Sequence, residues 1–232
     1  MQKEQLKDLL AKFNISADTL LLKLINATGL TPTSIQKLIE MQTPQLVNDQ
    51  SQVRPGMFLT MEGYVSQNYV ADETIALVLG TEKGKVKVKA LSLEGKEMPF
   101  SSSQLFVDTS GHDGLDATRL IVKAAQEAHK RAEAAEYCQK FAIPGLVKKG
   151  DAYLLSAAEI KDVQSYFFNI QEALRSVNFT NGCLWSSTML MKDGTVSADA
   201  YALRSIAIYQ EAVDFPQFVY PAFWVPFRTV LH

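Results

Sequence analysis

The sequence predicts an α+β protein, and three observations carry that expectation. The first 42 residues hold apolar side chains at helical spacing. A β-rich stretch begins near residue 58, with one continuous apolar run and one strictly alternating run. Helix-forming segments then separate this stretch from a second set of strand-like runs near the C-terminus. The chain has 232 residues, 47% hydrophobic and 21% charged, which is enough apolar material for a core of the ordinary globular kind.

At the N-terminus, Leu6, Leu9, Leu10 and Phe13 form one helical stripe. Ser16 opens a second helical segment and Gly29 closes it. Thr31-Pro32 starts a third, with Thr31 at the N-cap and Pro32 at the first helical position; Ile35, Leu38, Ile39 and Met41 are its apolar residues. Three short helices bury little surface alone. They either dock on partner chains or copies of themselves, or lie as a lid on the main domain. The polar stretch 42–56, with two prolines, reads as a linker. The expected division is a helical attachment or oligomerisation segment, 1–50, and a main domain, 51–232. Within the latter, 51–107 is β-rich and 108–232 carries the motifs.

In the main domain, "ETIALVLG" (73–80) has the continuous apolar character of a buried strand, and "KVKVKAL" (85–91) alternates with period two. Glu82-Lys83-Gly84 between them reads as a hairpin turn. Lys85, Lys87 and Lys89 suggest either a phosphate contact or, more simply, a solvated strand face. "MPFSSSQLFV" (98–107) continues the β-rich composition. The segment 117–141 is dense in helix formers and reads as one helix, with Leu120, Ala124, Ala128, Ala135 and Cys138 on one side. Ser156, followed three residues later by Glu159, has the pattern of a capping box opening another helix. "GCLWSSTMLMKDG" (182–194), "ADAYALRSIAIY" (198–209), "EAVDF" (211–215) and "AFWVPFRTVL" (222–231) read as the remaining strands.

Several function classes fit poorly. A formal net charge of -2 provides no electrostatic funnel for nucleic acid. No apolar run reaches 18 residues, so no transmembrane helix is expected, and no signal-peptide pattern opens the chain. Two cysteines, Cys138 and Cys183, make no disulfide framework; free buried thiols are favoured over a pair. The Gly-Asp cluster at 108–118 with His112 lacks calcium-loop spacing, so no metal or other cofactor is expected. A serine nucleophile at Ser186 or Ser187 needs a histidine base. Of the three histidines only His112 is a candidate, because His129 falls in a helix of exposed character and His232 is terminal. No catalytic residue is therefore assigned.

The order of four motifs resembles a C-type-lectin-fold module. These are "YLLSAAEIKDV" with its following helix, then "LWSST", "SADAYALR" and a terminal "WVPFRTV". The module's pattern is Trp-Tyr-Leu-Pro-Ser-x-x-Glu-Leu, then Tyr-Trp-Ser-Ser-Thr, an alanine-rich strand and a closing Val-Arg-x-Val strand. Upstream, "DGLDATRLIV" and "AAEYCQKF" are similar to the module's helix start and helix end. The resemblance covers residues 58–232 and leaves out the N-terminal helices. Leu155 stands where the family usually has proline, and Tyr153 lies near its usual tryptophan. Phe227-Arg228 replaces Val-Arg, and Pro226 is extra.

The resemblance implies a mostly antiparallel mixed sheet with two main helices. It makes Ser156, Glu159, Trp185, Ser186, Ser187 and Thr188 structural residues, with the indole in the core. Modules of this type occur in phage proteins, bacterial surface proteins and retroelement variable proteins. The expected function is therefore non-enzymatic binding or display, as a head-fibre, tail-fibre, receptor-binding or decoration component of a virion made in the cytoplasm. The alternatives are a bacterial surface or retroelement-diversified binding protein, or a cytosolic enzyme. Expected partners are other chains through residues 1–42 and a host-surface protein or glycan. Recognition surfaces sit on loops over a rigid frame, and contact-prone side chains there are Asn178, Phe179, Asn181, Arg204 and Tyr209.

Overall fold

The structure, a computed structural model, describes residues 43–162 except 71 and 83, together with 183–192, 195–202, 208–214 and 216–230. The chain divides into two compact units, Met1–Thr43 and Pro44–His232. Every described strand and helix belongs to the second, which is a mixed α+β unit with antiparallel sheets.

The stretch 42–56 is not a free linker. From Pro44 on it belongs to the second unit, whereas the expected division fell between residues 50 and 51. Val47 donates its N–H to the Val65 carbonyl at 2.8 Å, and both Val47 and Val53 are buried. Between them, Gln50–Gln52 make a single 3₁₀ turn capped by Asp49, whose carboxylate accepts from the Ser51 N–H at 2.8 Å. Hydrogen bonding from the Ser51 side chain, and then from its N–H, holds the Asp49 carboxyl below its ordinary value. Two valines six residues apart give no periodic signal, so the polar majority of the stretch hides its docking.

The strands are β1 (Phe58–Thr60), β2 (Val65–Ser66), β3 (Thr74–Thr81), β4 (Lys87–Ser92), β5 (Lys96–Pro99), β6 (Cys183–Lys192), β7 (Thr195–Ala202), β8 (Ile208–Ala212), β9 (Pro216–Val219) and β10 (Ala222–Pro226). They form two five-stranded sheets. The first runs β10-β4-β3-β1-β2 and is antiparallel throughout. The second runs β5-β9-β6-β7-β8, with a parallel pairing where Leu184 faces Phe218.

The continuous apolar run of β3 follows from burial on both faces of the first sheet. Leu77, Leu79 and Leu91 enter one cluster with Tyr153, Leu155 and Ile160, while Ala76, Val78, Val88 and Ala90 enter another with Val47, Phe223 and Val225. The β-rich composition past Pro99 does not continue as strand. Phe100 instead turns into the core, and the Ser101 hydroxyl donates to the Arg131 carbonyl at 2.5 Å.

The single helix expected over 117–141 is two helices, α1 (Gly114–Glu127) and α2 (Glu133–Lys140). The break is a Schellman turn without glycine. Lys130 N–H reaches the Ala125 carbonyl at 2.8 Å and His129 N–H reaches the Gln126 carbonyl at 3.2 Å, with His129 at φ 52°. The buried stripe of α1 also differs from the expected one: Ala117, Thr118, Ile121 and Ala125 face the core, while Ala128 is exposed. In α2, Ala134, Ala135 and Cys138 are buried, joining Phe100, Leu154, Trp185 and Val219. Cys138 is a free thiol, pushed well above its ordinary pKa by burial.

Candidate functional site

Three sequence motifs that are far apart in the chain meet at one hydrogen-bonded node. The capping box at Ser156 is reciprocal: Ser156 N–H donates to Glu159 Oε2 at 2.8 Å, and Glu159 N–H donates to Ser156 Oγ at 3.3 Å. Glu159 does more than cap its own helix. Its Oε2 also accepts from the Gly114 N–H at 3.0 Å, at the start of α1, and its Oε1 pairs with the Lys89 ammonium from β4. Gly114 has no room for a side chain, because a Cβ there would overlap the Leu154 carbonyl and the Glu159 carboxylate. The Thr118 hydroxyl donates to the Gly114 carbonyl at 2.6 Å and accepts from the Leu154 N–H at 3.0 Å.

Lys89 is not on a solvated strand face. Its ammonium sits 5.7 Å from the ring centres of both Tyr153 and Trp224, and Trp224 is its direct cross-strand partner. Burial, with the Glu159 charge adding to it, raises the Tyr153 phenol well above its usual range, so the phenol stays neutral.

The Trp-Ser-Ser-Thr segment closes the node from β6. Trp185 is fully buried, its indole N–H donates to the Met98 carbonyl at 3.1 Å, and Phe100 meets it edge-on at 5.6 Å. Between Trp185 and Met189 the strand bulges, so that Ser186, Ser187 and Thr188 together face Asp199 of β7. Each bulge residue has a bond of its own. Ser186 Oγ accepts from the Thr188 N–H at 3.1 Å, Ser187 N–H donates to the Leu155 carbonyl at 2.8 Å, and Thr188 Oγ1 accepts from the Ala157 N–H at 3.0 Å. Thr188 thereby satisfies one of the orphan donors at the start of the helix that Ser156 caps. Thr109 Oγ1 accepts the Met189 N–H at 3.2 Å.

Ser186 and Ser187 are both fully buried. The Ser187 hydroxyl has no hydrogen-bond partner among the described residues. Asp199 is held above its ordinary pKa by desolvation, with Lys161 partly opposing the shift. His112 lines a shallow groove of about 250 Å³ along α1 with Asp116, Arg119, Leu120 and Lys123. Among the described residues no three His, Cys, Asp or Glu side chains group to hold a metal. None of the described helices is long and apolar enough to cross a membrane.

Of the expected contact residues, Asn178, Phe179, Asn181 and Arg204 lie outside the described residues. The backbone of Tyr209 is in β8, opposite Ala200. A recess that no sequence motif announces opens elsewhere. It encloses about 280 Å³ and is lined by Thr74, Ile75, Ser92, Leu93, Glu94 and residues 141–144. Its wall comes from three separate segments, none with a local signature.

No family model, curated protein or solved structure matches the chain.

Proposed function

We propose that the chain is a non-enzymatic binding and display protein of the C-type-lectin type, carried on a phage particle as a fibre, receptor-binding or decoration component. One observation carries the reading. The motifs that resemble this module, at 114–118, 153–159 and 185–188, are joined into one node by their own side chains. Their polar groups bond to backbone and to each other, so the motifs build a frame. A frame of this kind leaves recognition to the loops it holds. The ends of the second unit also meet, with Val230 N–H donating to Asn48 Oδ1 at 3.0 Å. Residues 1–42 serve as the attachment element in this reading.

The test is to raise antiserum against the full chain and label particles released from the encoding host. Gold label on intact particles in electron micrographs is the expected result. Label confined to the soluble lysate, with clean particles, would refute the display reading.

A further inference from the structure

We infer that the recess between the β3 start, the β4–β5 turn and the segment after α2 is a binding site for an alkylammonium group, borne by a free amine or by a lysine side chain. Size, wall chemistry and charge point the same way. About 280 Å³ equals roughly nine waters at about 30 Å³ each, room for a short chain or a single side chain. Ile75, Leu93, Phe141, Ile143 and Pro144 give it apolar walls. Phe141 is held in place by stacking on Phe223, with centroids 6.0 Å apart at 22°.

The polar groups at the recess favour a cation. Glu94 is exposed at its edge and makes no ion pair among the described residues. The Ser92 hydroxyl donates to the Glu94 carbonyl at 3.2 Å and accepts the Glu94 N–H at 3.1 Å, which fixes the backbone that carries this carboxylate. Thr74 Oγ1 already accepts the Val70 N–H at 3.0 Å and keeps a second lone pair. Among the described residues no lysine or arginine lines the wall. Burial raises the phenol of nearby Tyr137 and the Glu94 field adds to that rise, so Tyr137 brings no competing charge. An anion would meet Glu94 as a like charge, whereas an ammonium would meet it as a counter-ion. An apolar stem with an ammonium tip satisfies both parts. The inference goes beyond the display reading and stands on the recess alone; an amine binds here whatever the unit is displayed on.

The test is a titration of the ¹⁵N-labelled full chain followed by NMR, with n-butylamine hydrochloride, n-butanol, butyrate and N-acetyl-lysine methylamide as probes. Butylamine should shift the amides of Ile75, Leu93 and Ile143 saturably, with affinity on the order of millimolar for so small a ligand. Butanol should bind about fivefold more weakly, the size of one exposed ion pair, and butyrate more weakly still. Glu94→Gln should reduce butylamine to the level of butanol, while Glu97→Gln, an exposed carboxylate on β5 outside the recess, should leave it unchanged. N-acetyl-lysine methylamide matching butylamine would show that the recess admits a lysine side chain, and markedly weaker binding would restrict it to a free amine. No saturable shift with butylamine, equal binding of amine and alcohol, or undiminished binding to Glu94→Gln would each overturn the inference.

Discussion

Replacing Glu159 with alanine should destabilise the second unit by about 4 kcal/mol. The magnitude follows from what the carboxylate holds. Two backbone donors, Ser156 N–H at 2.8 Å and Gly114 N–H at 3.0 Å, lose their acceptor. Bonds to a charged partner contribute about 1.5 kcal/mol each at the low end, so these account for about 3 kcal/mol. Lys89, whose side chain is 14% exposed, loses its counter-ion but keeps the Tyr153 and Trp224 rings, which adds about 1 kcal/mol. In a unit of this size the melting midpoint should fall by about 12 °C. Glu159→Gln keeps the shape and one acceptor and should cost about half as much. A double-mutant cycle of Glu159→Gln with Lys89→Met should return a coupling of about 1 kcal/mol. Guanidinium unfolding followed by circular dichroism measures all of these. If Glu159→Ala comes within about 1 kcal/mol of the wild type, the node is not the joint inferred here.

Four further outcomes follow from single residues. Trp185→Ala should cost about 3–5 kcal/mol in the same unfolding assay, and an unchanged midpoint would rule out the core role of the indole. His129→Gly should raise stability by about 0.5 kcal/mol, because φ 52° strains any side chain there; a lower midpoint would refute the strain. Ser187→Ala should leave stability equal or raise it by up to about 1 kcal/mol, since the buried hydroxyl has no partner among the described residues, and a clear loss would reveal one. Asp199 has a raised pKa in the folded state, so its ionised form opposes folding above that pKa and the penalty fades as pH falls. Asp199→Asn should therefore stabilise at about pH 7 and not at about pH 3, where the carboxyl is protonated in both states; equal effects at the two pH values would contradict the assignment.

What the sequence reveals here depends on how local each signal is. The capping box needs only Ser156 and Glu159, three residues apart, so it is visible in the chain as written. The buried strand at 73–80 is visible because its apolar run is continuous. The break between α1 and α2 is not, because neither glycine nor proline marks it. Ala132, Ala134 and Phe100 pack together there, and that burial outweighs the strain at His129. Lys89 alternates like its neighbours Lys85 and Lys87, and only a partner 70 residues away separates it from them. The wall of the recess draws on β3, the β4–β5 turn and residues 141–144, so no window of sequence contains it. The same holds for the two-sheet division: β5 follows β4 in the chain yet pairs with β9 in the other sheet.

The run Trp-Ser-Ser-Thr places two fully buried serines beside a core indole, and the bulge explains why hydroxyls are found there. A strand that bulges by this much frees backbone groups from the ladder, and buried backbone groups need partners. Ser186 accepts the Thr188 N–H, Ser187 N–H crosses to the Leu155 carbonyl, and the Met189 N–H goes to Thr109. Thr188 then supplies the acceptor that the helix after Ser156 lacks at Ala157. Alanine at Ser186 or Thr188 would leave a backbone donor without its partner, whereas alanine at Ser187 would not, because there the backbone and not the hydroxyl makes the bond. The three positions thus differ in what their hydroxyls do, and the difference is set by the bulge: the segment's polarity serves the joint between β6 and the capped helix.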